Sequence, residues 1–219
     1  MSALIQVKKI ARDMRRALGF SPMQVVLRRL MANGTNISEL HALEVFGCDG
    51  DSHTVDYASR VASLEVWDIS PDREADLRRN LPMATVKICD SYKEIRVTSS
   101  KYGLIVIDNS PCYQSYVEHF ELFPHVLKVA NRELVMIVNI IPEISEAVAR
   151  MYPRMLEPEV TEARKSFYGV EDPRLITLEH IIAKYLEVFR HNGFICEGYF
   201  TERRNRMLRY LVLKAVRES

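Results

Sequence analysis

The sequence predicts an α/β domain: a mostly parallel sheet of seven strands, flanked by helices and closed by an antiparallel hairpin. Three observations carry this. Apolar runs at 42–46, 64–67, 84–89, 104–107 and 134–141 alternate with helical patterns, which implies right-handed crossovers and a parallel sheet. The run 104–107 is apolar throughout, as in a strand buried on both faces. Runs 194–201 and 207–216 are joined only by the polar link ERRNR, and so short a link forces antiparallel pairing.

Taken in order, the chain opens with two helices. Leu4, Val7, Ala11, Met14 and Leu18 recur at helical spacing with basic residues on the other face. Ser21 can cap the second helix, with Pro22 at its first position. Residues 1–36 are read as a helical cap that packs on the sheet edge or covers the ligand cleft, its basic face solvated. After the first strand, Gly47 and Gly50 frame a turn, and a helix is expected from Asp51 or Ser52 through Val55, Ala58, Val61 and Ala62. Between the strands that follow, PDREADLRRN reads as a helix and SYKEIRVTSSK as a short helix or loop. A helix over 113–130 should bend near Pro124. Residues 142–177 hold four prolines and are too long for a simple connection; they are read as an insertion and an acceptor lid. Thr177 can cap the last helix, but position 180 is His, so no capping box forms.

Composition fits one domain over 1–219. The chain has 219 residues and is 47% apolar, enough for a sizeable core. A net charge of +1 leaves no global field to draw it to nucleic acid or a membrane. Cys48, Cys89, Cys112 and Cys196 form no C-x-x-C pair, which suits reduced thiols in a cytoplasmic protein. Basic residues interrupt the first twenty positions, so no signal peptide is read, and no apolar run reaches a membrane span. No His, Cys and acid grouping has metal-ligand spacing, so no metal is expected.

The unit around residues 41–69 organises the rest. A strand, a glycine turn and a second strand ending in Asp68 make a nucleoside-holding arrangement, because a carboxylate there can accept both ribose hydroxyls. A dinucleotide needs a G-x-G-x-x-G loop so that its pyrophosphate can approach bare backbone. Here the run is Phe46, Gly47, Cys48, Asp49, Gly50, Asp51, poor in glycine and carrying two acids that repel a pyrophosphate. Glu44, Asp49, Asp51, Asp68, Asp90 and Asp108 all fall at or near strand ends. Acids suit a cationic ligand without phosphate, and S-adenosylmethionine, with a sulfonium, an ammonium and an adenosine, matches.

LEVFGCDG (43–50) resembles the first motif of Rossmann-like methyltransferases, VWDIS (66–70) the second, KICDSY (87–92) the third and YGLIVIDNSP (102–111) the fourth. The order and spacing cover the chain from about residue 40 onward. Phe46 and Cys48 stand where the family's usual glycines fall. The resemblance implies a Rossmann-like (class I) three-layer sandwich and an S-adenosylmethionine-dependent methyltransferase acting on an O or N acceptor of a small molecule or sugar. It implies cofactor contacts at Glu44, Phe46, Gly47, Gly50, Asp68, Ile69, Asp90, Ser91 and Asp108. His53 and Thr54, just past the turn, meet the cofactor's carboxylate or cap the helix. Asn109-Ser110-Pro111-Cys112 is similar to the Asn-Pro-Pro-Tyr motif of amino-methylating enzymes, with its aromatic displaced to Tyr113; Asp108, Asn109 and Tyr113 are the catalytic candidates. Methyl transfer is an in-line displacement in which alignment supplies much of the catalysis, so a general base is optional. Arg164, Phe167 and Tyr168, beside Gly169 in the insertion, are the acceptor-binding candidates. The arginines 203, 204, 206 and 209 are read as a solvated hairpin tip. A non-catalytic nucleotide-binding partner subunit is the second reading and an NAD-dependent dehydrogenase the third. No membrane partner is expected, nucleic acid is disfavoured, and a homo-oligomer is left open.

Overall fold

The computed structural model describes residues 3–108 and 117–218. Seven strands, β1 (His41–Glu44), β2 (Ser63–Asp68), β3 (Thr85–Ile88), β4 (Tyr102–Ile107), β5 (Ala130–Ile140), β6 (Phe194–Arg203) and β7 (Arg209–Arg217), form one sheet in the order β3-β2-β1-β4-β5-β7-β6. Strands β1 to β5 pair in parallel, and β7 runs antiparallel to both β5 and β6. The order reverses between β1 and β4, so their carboxyl ends form the crevice in which ligands of open α/β sheets bind.

Alternation along the central strands fills both faces. Ile105 and Ile107 of β4, with Met136 and Val138 of β5, face α5 (Val117–Val126), α7 (Pro158–Tyr168) and α8 (Leu178–His191) through Phe123, Tyr185 and Phe189. Leu104 and Val106 face Met23, Val26, Leu27 and Leu30 of α2 (Pro22–Ala32). That helix starts as its sequence predicts: the Ser21 hydroxyl accepts from the Gln24 amide, Gln24 returns the bond, and Pro22 takes the first turn. Helices α3 (Glu74–Asn80) and α4 (Ser91–Val97) complete the crossovers. Pro124 lies inside α5, which stops two residues later and passes into a 3-10 turn, 127–129. The insertion folds as α6 (Glu146–Met151), a 3-10 turn at 153–156 and α7, which Gly169 ends at φ +68°. Thr177 caps α8 by accepting from the His180 amide.

Two expectations fail. No α-helix follows the glycine turn; residues 54–56 make one 3-10 turn flanked by irregular turns. The segment is rich in Asp, Ser and Thr, whose side chains compete for backbone and distant partners. Glu44 takes His53, Thr54 and Tyr57, while Asp56 turns to Arg16 and Ser21. The first helix, α1 (Ala3–Ala17), also sits the other way round from its apolar pattern. Its inward contacts are charged: Arg12 meets Asp51 at 2.6 Å, and Arg16 meets Asp56 at 2.8 Å and the Asp51 carbonyl at 3.0 Å. Val7, Met14 and Leu18 face solvent, and the Leu4 side chain lies outside the described residues. Among the described residues no helix is long and apolar enough to cross a membrane.

Candidate functional site

The turn after β1 is locked to β2. The Gly47 amide donates to the Trp67 carbonyl at 2.8 Å, and a Cβ on Gly47 would lie 2.3 Å from Val66 Cγ1, so only glycine lets the strands meet there. Cys48 holds φ +53°, the left-handed region that an L side chain rarely adopts. Its amide donates to Asp68 Oδ2 at 2.8 Å, and the Ser70 amide donates to Oδ1 at 2.8 Å. A carboxylate accepts about four bonds, so each Asp68 oxygen retains capacity. Ile69, beside it, is 61% exposed, an apolar surface at the rim; Phe46 is half-buried. Asp90 caps α4 through the Tyr92 amide at 3.0 Å, and the Ser91 hydroxyl donates to the Val45 carbonyl at 3.0 Å. Gly47, Gly50, Asp68, Ile69, Asp90 and Ser91 thus share one rim, at the ends of β1, β2 and β3.

Glu44 and Asp108 behave differently. They flank the switch point at the ends of β1 and β4, and both are buried. His53 lies between them, its Nε2 3.2 Å from both Glu44 oxygens and its Nδ1 2.6 Å from Asp108 Oδ2. Glu44 also accepts from the hydroxyls of Thr54 and Tyr57. Asp108 also accepts from Arg204 and the Asn139 amide, and from the Tyr210 hydroxyl at 3.2 Å. The charges alternate, Glu44, His53, Asp108, Arg204, and cancel. Burial alone would lower the His53 pKa, but the carboxylates of Asp108 and Glu44 raise it to about 9. Burial would raise the Asp108 carboxyl, yet Arg204 and His53 hold it below its usual value. Burial, then the Glu44 carboxylate, pushes the Tyr57 hydroxyl well up.

Of the expected cofactor residues, Glu44, His53, Thr54 and Asp108 therefore meet one another. His53 and Thr54 cap no α-helix. Tyr57, Asn139, Arg204 and Tyr210 complete the cluster and were not singled out as site residues. Arg204 is no solvated tip: its guanidinium reaches back over the strand ends. Tyr210 sits in a run of β7 that is buried on both faces, and nothing in its local sequence marks it. Asn109 and Tyr113 lie outside the described residues, as does Cys112.

The acceptor candidates are packed inward. Arg164 is 0% exposed; it donates through Nε to the Pro173 carbonyl at 3.1 Å and through Nη2 to those of Ile141 and Pro142 at 3.1 and 3.0 Å. Phe167 stacks on Phe120 with centroids 4.4 Å apart, and Tyr168 meets Phe120 edge-on at 5.4 Å. These side chains fasten the insertion to α5 and to the end of β5. A cleft of about 400 Å³ opens beside them, lined by Pro142, Glu143, Leu175, Ile176, Leu178 and Arg209. Arg209 pairs with Ile140 next to the Asn139–Tyr210 pair, so the cleft and the ionic cluster lie at the same end of the sheet. Among the described residues no group of three or more His, Cys, Asp or Glu is placed to hold a metal ion.

A parallel sheet with one antiparallel strand inserted before its edge, in this order, is the Rossmann-like (class I) methyltransferase fold. Solved structures agree. The chain is similar to magnesium protoporphyrin IX methyltransferase from Synechocystis PCC 6803 with bound SAH, with TM-score 0.58 and 16% identity over 96% of this chain and 99% of that one. It is similar to the N-methyltransferase NodS from Bradyrhizobium japonicum WM9, with TM-score 0.56 and 12% identity over 90% and 94%. It is also similar to the ribosomal protein L11 methylase from Lactobacillus delbrueckii subsp. bulgaricus, with TM-score 0.53 and 12% identity over 90% and 79%. No protein-family model and no curated protein sequence matches the chain.

Proposed function

We propose that the chain is an S-adenosylmethionine-dependent methyltransferase acting on an O or N acceptor of a small molecule or sugar. The observation that carries this is the Asp68 carboxylate, fixed by two backbone amides at the end of β2 with acceptor capacity to spare for a ribose. Ile69 would lie against the adenine, with Asp90 and Ser91 at its edge. Gly47 and Gly50 let the backbone approach, and Phe46 walls the turn. The bound cofactor supplies an electrophilic methyl group. This chain's part is to orient the acceptor, exclude water and accept the ribose hydrogen bonds. The cleft at the end of β5 has the size of a small-molecule site and is the place proposed for the acceptor. The chain is taken as one domain, with 1–36 as a helical cap and 142–177 as an insertion on the acceptor rim, working in the cytoplasm.

A second reading rests on Glu44. Its oxygens already hold His53, Thr54 and Tyr57, which leaves little capacity for a methionine ammonium. That favours a partner subunit that binds the adenosine half without catalysis. Isothermal titration with S-adenosylhomocysteine, adenosine, NAD and NADP decides the ligand. Tight S-adenosylhomocysteine binding supports the enzyme, equal affinity for adenosine supports the second reading, and NAD binding alone refutes both. A screen for methyl transfer to small-molecule acceptors then tests catalysis.

A further inference from the structure

We propose that α1 docks the protein on an anionic lipid surface, lying in the headgroup layer with its apolar stripe inward. Val7, Ile10, Met14 and Leu18 repeat at intervals of three and four and form one continuous stripe. They are 62%, 57%, 60% and 66% exposed, and Phe20, just past the helix, is 64% exposed. Isolated exposed apolar residues are ordinary; three in one row on α1, continued by Leu18 and Phe20 just past its end, mark an interaction surface.

The helix has no spare face to turn inward. Arg12 and Arg16 fix its opposite side to Asp51 and Asp56, so burying the stripe within the chain would break those contacts. The occupant must come from outside, and charge selects it. Beyond Arg12 and Arg16, which pair with Asp51 and Asp56, the sequence of α1 carries three further basic residues, Lys8, Lys9 and Arg15, and one acid, although the chain as a whole is only +1. The acid, Asp13, already lies 3.5 Å from both Arg12 and Arg16. Arg15 is exposed beside the stripe. An amphipathic helix whose exposed apolar stripe runs on into Leu18 and Phe20, with the Arg15 cation beside it, is the pattern that lies in a lipid interface. A second copy fits less well. Pairing two stripes would set like charges together, and one helical stripe falls short of the roughly 800 Å² per partner of a stable interface.

Flotation of the full chain tests this, using phosphatidylcholine vesicles with and without a phosphatidylglycerol fraction. The wild type should float only with the anionic vesicles, and added salt should release it, since exposed charges are screened beyond about 10 Å at 0.1 M. Ile10→Asp with Met14→Asp should reduce the bound fraction by about tenfold while leaving the unfolding midpoint unchanged, because both side chains are exposed. Arg15→Glu should weaken anionic binding alone. No flotation, or equal binding by the double variant, overturns the proposal. So does a dimer, seen by light scattering without lipid, that the double variant dissolves.

Discussion

Replacing His53 with glutamine removes the cation between two buried carboxylates, and its effect on stability depends on pH. The imidazole titrates near 6.5 in an unfolded chain and at about 9 in the fold. At about 1.4 kcal/mol per pH unit, that difference is about 3 kcal/mol of stability. The pKa is raised, so the folded state holds the proton longer than the unfolded state. The contribution is complete below pH 6.5 and is lost as pH rises through 9. Other shifted groups leave the stretch from pH 6.5 to 8.5 clear. His125, whose pKa is lowered by burial, acts below 6.5, and the thiols of Cys48, Cys89 and Cys196, raised by burial from 9.0, act above it. Urea unfolding of the wild type at intervals from pH 6 to 8.5 should therefore show a fall of about 2 kcal/mol. His53→Gln should be flat across that range. At pH 7 it should also be less stable than wild type by about 3–5 kcal/mol, because the buried Glu44 is then left without a cation while Asp108 keeps only Arg204. A wild-type stability that does not change between pH 6.5 and 9, or a variant with the same slope, refutes a protonated His53.

Three further outcomes follow from the same geometry. Asp68→Asn should weaken S-adenosylhomocysteine binding by about ten- to a hundredfold in titration calorimetry, the worth of charge-assisted bonds to the ribose; unchanged affinity removes Asp68 from the site. Arg164→Met should cost about 3 kcal/mol in urea unfolding and open residues 142–177 to protease, because three carbonyls lose their donors. Cys48→Gly should be neutral or up to about 1 kcal/mol more stable, since glycine holds φ +53° without strain, whereas Cys48→Val should lose about 1–2 kcal/mol; equal midpoints for the two variants would show that the turn is unstrained.

The strands were legible because burial on both faces writes itself into local composition, as along 104–107, and the closing hairpin because its link is too short for any other path. The position of Asp68 was legible for the same reason: it ends a strand at a fixed distance from a turn. The ionic cluster was not. Arg204 meets Asp108 across 96 positions, and Arg12 and Arg16 meet their partners across 39 and 40, separations that no periodicity window spans. Periodicity shows that α1 has an apolar face and a basic one; it does not say which face the body takes. At residues 51–62 the spacing of Val55, Ala58, Val61 and Ala62 suggested a helix, but Glu44 and Arg16 outbid the backbone for the side chains between them.

The cluster also bears on how a proton would leave an acceptor. A general base needs a free lone pair and a pKa near the working pH. Asp108 accepts from His53, Arg204, Asn139 and Tyr210, and its pKa is lowered. His53 has a carboxylate on each ring nitrogen and holds its proton to about pH 9. Neither can take a proton without first surrendering an ion pair inside the fold. What the cluster supplies instead is position. It ties the carboxyl ends of β1, β4 and β5 to the amino end of β7, between the rim that would hold the adenosine and the cleft proposed for the acceptor. Methyl transfer from such a rim would draw its rate from alignment and would favour acceptors that are nucleophilic before they bind.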